Sequence, residues 1–438
     1  MFRNLNVIHR WLFLSLISGV ALQYGCGRDQ NDQPEKHSSH QETSATELSA
    51  ARWDHANNPS LLDTLAGRGY IYNYQQLPSS GSLSREPWSG GYWPSWSGGL
   101  SYRWALPESQ YSFDDPARYG YALWSRYDDF RRKDLSFLSP LEKLDLLLGY
   151  YDFRLTRQER ERTQVMKTIP GSGVYTPGYE IPYWEGLCHA WAPATLAFTE
   201  PGPVTVESRD GLTIPFGSSD LKGLLVYALH HLSAQNYILA RRCNSKSLEE
   251  LKNQYIRHEI SYDQYFREKK ACLDTNAGAF HIVLSNQIGL LNEGIIVDID
   301  AQSDNPEQQN LAEVWNQAVY AYESRVLRRR EGEKIKKKAA PGTVLELKML
   351  TTMYYTHEVN YSWSPLRPAV KTHKEYKYWL EIDKDGNIVG GSWPTQKSQR
   401  PDFIWKQKTP EFSGYFDVIR QLYELSRQQN PARTNVSS

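Results

Sequence analysis

Helical and strand patterning are segregated along this chain, and that segregation narrows the folds open to it. Between residues 139 and 242 apolar residues recur at helical spacing, as in LEKLDLLLGYY and LKGLLVYALHHLSAQNYILARR. From residue 280 the short runs FHIVLSNQI and IIVDID read as two strands of a hairpin, and TVLELKMLTTMYYTHEV and KEYKYWLEIDKDGNIVGGSW read as further strands with a turn at Asp385-Gly386. Residues 311–330 read as a helix ending in the basic run RRREGEKIKKK. Helices followed by strands indicate an α+β fold, a helical lobe packed on an antiparallel sheet. Ser139-Pro140 and Ser219-Asp220 mark helix starts, with a hydroxyl or carboxylate to take the first free N–H groups.

The N-terminus reads as a targeting segment. Arg3, His9 and Arg10 precede an apolar stretch too short to span a bilayer, which fits a signal peptide over residues 1–25. Cys26 closes it and is the lipidation candidate, which would leave the chain outside the cytoplasm, membrane-anchored or secreted. Residues 26–60 are polar and read as a tether. Residues 61–335 form the expected catalytic region, and 336–438 a β-rich extension of its sheet with a terminal helix. Export makes Cys243 and Cys272 a disulfide candidate and leaves Cys188 as the odd thiol.

The 50 Lys and Arg balance 50 Asp and Glu, so the chain carries no broad field for nucleic acid. A mean hydropathy of -0.63 excludes a polytopic membrane protein. The 14 Trp and 29 Tyr are more informative, because aromatic side chains supply stiff walls for a cleft as well as core. They concentrate in residues 87–104, PWSGGYWPSWSGGLSYRW, a loop whose Gly, Ser and Pro break regular structure while its rings demand packing.

Cys188 carries the chemistry in this reading. It opens the apolar stretch CHAWAPATLAF, and a helix N-terminus favours thiolate over thiol. His281, placed on the first strand of the hairpin, is the expected base. Asp298 is the carboxylate that would hold its ring, and Asp300, on the same face two residues on, is the alternative. His189 is a rival base, but adjacent helical residues diverge. His230 and His231 read as helix packing. Trp184 and Trp93 are candidates for the oxyanion site or substrate channel, with Trp88, Trp96 and Trp191 as further walls. Asp383, Asp385 and Asn387 do not complete a calcium loop, and no metal site is legible.

The stretches WEGLCHAWAPA, NAGAFHIVLSNQIG, VDID and Val314-Trp315-Asn316-Gln317, with PWSGGYWP, LSPLEKLDLLLG, SSDLKGLL and SWPTQKSQRPDFIW, resemble the transglutaminase elicitor family. That family is known as cell-wall transglutaminases of oomycetes, within the papain-like and transglutaminase-like superfamily. The sequence departs from it after VWNQ, where AVYAYES follows. The resemblance implies acyl transfer: Cys188 takes a protein glutamine as a thioester and passes it to a lysine or other primary amine, crosslinking proteins. It also allows for a calcium requirement, though the thiol chemistry itself needs no cofactor. A papain-like thiol hydrolase, protease or deamidase, is the alternative, and a non-catalytic envelope-attached binding protein the second. Protein or peptide substrates, no nucleic acid, and a lipid anchor to the membrane are the expected partners.

Overall fold

A computed structural model of the chain describes residues 53, 56–63, 69–106, 123, 130–131, 134–240, 245–262, 264–265, 275–299, 314–366, 369–394 and 400–429. The signal segment, Cys26, Cys243, Cys272 and Asp300 lie outside them.

In chain order the main elements are β1 (Ser80–Ser82), α1 (Pro140–Leu147), α2 (Arg154–Thr163), α3 (Cys188–Ala197), β2 (Val204–Glu207), β3 (Thr213–Phe216) and α4 (Ser218–His231). β4 (Asn236–Leu239), α5 (Ser245–Ile256), α6 (Ala277–Leu284), β5 (Ile295–Asp298), β6 (Asn316–Glu331), β7 (Thr343–Thr356) and β8 (Lys371–Asp383) follow, then β9 (Ile388–Ser392), β10 (Ile404–Gln407) and α7 (Phe416–Gln429). An antiparallel sheet runs β4-β10-β5-β6-β7-β8-β9, with β1 on β6. The strands after residue 336 thus continue the sheet that contains β5 and β6.

Three sequence expectations are corrected here. The helix read through residue 242 ends at His231, and Asn236–Leu239 is β4, because it pairs with β10. Residues 280–288 are not a strand: α6 covers most of them and runs into a π turn at Ser285–Leu290. The Asn276 side chain takes the N–H groups of Gly278 and Ala279 at 2.8 and 3.4 Å, so a capped helix start overrides the β-branched composition. Residues 316–331 are not helical but form β6, because β5 and β7 pair with it on both sides.

The sheet divides the apolar interior. Ile296, Ala318 and Trp405 join the core built by α1, α3 and α4. Their strand neighbours Ile295, Val297, Val319 and Ile404 face the other way, into the core beneath α6 with Tyr376 and Tyr378. α6 approaches β9 so closely that a Cβ on Gly278 would lie 2.4 Å from the Gly390 carbonyl oxygen.

Buried charges fasten the helical lobe. At α1, Ser139 and Glu142 form a reciprocal cap, and Arg103 donates through Nε to the Glu142 carboxylate at 2.8 Å. Lys143 and Asp220, both inaccessible, pair at 2.6 Å, and Asp220 also accepts the Gly217 N–H and the Trp104 indole N–H. Lys222 donates to the Ser89 carbonyl and pairs with Glu200. These contacts pin the aromatic loop 87–104 onto α4. Arg85 donates to the Thr195 and Phe198 carbonyls and so closes the C-terminal end of α3.

Candidate active site

Cys188 is the first residue of α3, as its sequence context predicts, and is 1% exposed. The helix start is held from outside: the Leu187 N–H donates to the Tyr92 carbonyl at 2.6 Å, and the Ser95 N–H to the Glu185 carbonyl at 2.8 Å. A side chain on Gly186 would run into Tyr92, so the chain needs glycine there to bring the loop against the thiol segment.

The sulfur faces the start of β6. It donates to the Val314 carbonyl and accepts from the Asn316 Nδ2 amide, both at 3.6 Å. The Trp405 indole N–H donates to the Asn316 Oδ1 at 2.7 Å. Asn316 lies directly opposite Asp298 across the β5–β6 ladder, and Asp298 Oδ1 accepts the Trp315 N–H at 2.9 Å. Asn316, Ala318, Ile296 and Trp405 share the helix-side face, which is how the Trp405 side chain reaches the amide that faces the sulfur.

Aromatic rings surround this centre. Tyr92 and Tyr183 both pack on Trp315, with centroids 5.6 and 6.3 Å away, and the Tyr92 hydroxyl donates to the Tyr183 carbonyl. Burial pushes the Tyr92 phenol pKa up, a hydrogen bond with Trp96 opposes the rise, and the charges of Glu358 and Cys188 add to it. Glu358 accepts from Gln317 Nε2 at 2.6 Å, and His357 Nδ1 stands 3.6 Å from its other oxygen. The buried indole N–H groups of Trp184 and Trp315 meet no protein acceptor.

Two comparisons bear on this arrangement. The family model described as transglutaminase elicitor matches residues 60–418. The chain belongs to the transglutaminase elicitor family. The crystal structure of the GP42 transglutaminase from Phytophthora sojae has a similar fold, with a TM-score of 0.55 at 19% identity, covering 83% of this chain and 95% of that one. No curated protein matches the chain.

Within this transglutaminase elicitor fold the expected dyad of Cys188 and His281 is not assembled. His281 sits on α6, 2% exposed, with Nδ1 hydrogen-bonded to the Tyr378 hydroxyl at 2.8 Å. Tyr378 belongs to the core beneath α6, so the sheet separates this imidazole from the sulfur. Burial pulls its pKa down to about 4 and keeps it neutral. Asp298 is beside the site but steadies the backbone of Trp315 rather than an imidazole. Trp93, 1% exposed, stacks on Tyr361 and packs against Gly223, so it is core rather than channel wall. Trp184 remains close in sequence to the thiol, while Trp96 is exposed.

His189 turns toward α4, with its Nε2 2.9 Å from His230 Nδ1. Burial, with Arg162 and His231 nearby, takes its pKa to about 4. Asn316 and Trp405, which the structure brings to Cys188, carry no local signal in the sequence beyond the place of Asn316 in Val314-Trp315-Asn316-Gln317. Among the described residues no group of three or more His, Cys, Asp or Glu side chains is arranged to hold a metal ion, and no helix is long and apolar enough to cross a membrane. The Asp383 carboxylate takes the N–H groups of Asp385 and Asn387 and is consumed by its own turn.

Proposed function

We propose that this chain is a transglutaminase-type acyltransferase with Cys188 as nucleophile. The observation that carries the reading is the buried sulfur at the first residue of an apolar helix, met by an amide donor that a buried indole orients. The thiolate attacks the side-chain carbonyl carbon of a protein glutamine, the C–N bond breaks, and ammonia leaves with the proton drawn from the thiol. A lysine amine then attacks the thioester, the C–S bond breaks, and the amine returns a proton to sulfur. Family membership and fold support this chemistry. On this reading Glu358 and His357, at the same end of the sheet, carry the protons. The orphaned N–H of Trp184 is a donor suited to the developing oxyanion. Tyr92, Tyr183 and Trp315 wall the entrance, limiting water at the thioester. Protein substrates and action outside the cytoplasm, tethered through Cys26 or released, belong to the same proposal, as does any calcium requirement, for which the described residues supply no cluster.

The test is incubation of the mature chain with a glutamine-containing protein and a fluorescent primary amine. Covalent label that depends on Cys188, and is lost in Cys188→Ala, supports transfer. In the same assay His357→Gln should slow labelling by about ten-fold or more. Ammonia or new chain ends without label would replace transfer by hydrolysis. Binding without any product would leave a non-catalytic protein.

A further inference from the structure

We infer that Asn316 is a catalytic amide donor that holds Cys188 as a thiolate, and that Trp405 is the positioning residue that aims it. The inference rests on Cys188 being the nucleophile, as proposed above. An indole N–H can only donate, so the atom of Asn316 that meets it at 2.7 Å is the amide oxygen. The NH2 end is thereby turned to the sulfur, 3.6 Å away, and the amide cannot flip without breaking the bond to Trp405. Asn316 and Trp405 are 3% and 7% exposed, so little water competes for either group. The backbone beneath is stiff as well. Asn316 pairs with Asp298 in the ladder, and the Asp298 carboxylate grips the N–H of Trp315.

The two contacts of the sulfur pull in opposite directions. Val314 O accepts the S–H and favours the thiol; Asn316 Nδ2 donates and favours the thiolate. A thiol is a weak donor, whereas an N–H facing an ionised sulfur makes a charge-assisted bond, so the amide outweighs the carbonyl. The N-terminus of α3 adds to the same side.

The experiment is the rate of iodoacetamide alkylation at Cys188 against pH, in the full chain, resolved by mass spectrometry of the peptide that carries it. Asn316→Leu keeps the size and removes the donor, and should raise the apparent pKa by about one unit. Asn316→Asp puts a negative charge beside the sulfur and should raise it at least as far. Trp405→Phe keeps a ring but frees the amide to turn, and should give a smaller rise in the same direction. In amine incorporation these variants should lose kcat with little change in KM. A merely structural role would lower the melting temperature and leave the alkylation pKa in place; that outcome in folded Asn316→Leu overturns the inference. Should Asn316→Leu not fold, Trp405→Phe decides by the same criterion. Alkylation needs no acyl donor, so a chain that alkylates as expected but transfers nothing would refute acyl transfer while upholding this role for Asn316.

Discussion

Replacing Lys143 by Met tests the electrostatics of the helical lobe most directly. The pair Lys143–Asp220 is wholly inaccessible, and the ammonium also stands 5.0 Å above the Trp363 ring. Methionine keeps the length of the side chain but leaves Asp220 with two donors, the Gly217 N–H and the Trp104 indole, and no cation. Breaking a buried pair in this way costs about 3–5 kcal/mol. A second route gives the same size: Asp220 can take up a proton instead, and protonating an ordinary carboxyl at pH 7 costs about 4 kcal/mol, at roughly 1.4 kcal/mol per pH unit above a pKa near 4. Burial already holds the Asp220 pKa above its ordinary value. A raised carboxyl pKa means that the folded state holds its proton more tightly than the unfolded chain does. The loss caused by Lys143→Met should therefore be largest at neutral pH and shrink on acidification, to about 1–2 kcal/mol at pH 5. Calorimetry of wild type and variant at pH 7 and pH 5 measures this, with an expected drop of roughly 4–7 °C at pH 7. Adding Asp220→Asn removes the uncompensated charge but keeps an acceptor for only one of the two N–H groups, and should recover part of the loss. A deficit under about 1 kcal/mol at pH 7, or one that does not change with pH, would refute the reasoning.

Two further variants test the other side of the sheet. Gly278→Ala should cost about 3 kcal/mol, because the new methyl meets the Gly390 backbone, which cannot turn aside as a side chain would; chemical denaturation measures it. His281→Leu should leave the alkylation pKa of Cys188 unchanged, since the sheet lies between them, while a shift of half a unit or more would restore a link between the two residues. The same variant should also flatten the acid side of the stability profile. The native imidazole, with its pKa lowered to about 4, loses stability as pH falls from about 6.5 toward 4, and leucine removes that loss.

Local signals were readable along the chain where they are self-contained. Ser139 and Glu142 announce their helix because the cap is made within four residues. Cys188 announces its place because the loop before it and the apolar run after it leave little choice of helix start. The alternation from residue 343 to 383 reads as strands, and β7 and β8 pair along nearly their whole length. Where the outcome depends on distant partners, the local reading fails. FHIVLSNQI has strand composition but is recruited as a helix by the Asn276 cap and by the close fit of Gly278 on β9. Residues 316–331 become a strand because β5 and β7 are available on either side.

The sequence by itself determined the α+β class, the helix that begins with a thiol, and the family motifs from PWSGGYWP to VWNQ. Only the tertiary structure decided what faces that thiol. Which side of a sheet a residue occupies is set by strand register and by the layer packed on each face, and neither is local. That is why His281, on the expected hairpin in sequence, lies in α6 on the far side of the sheet, whereas Asn316 meets the sulfur and is held there by Trp405, 89 positions away.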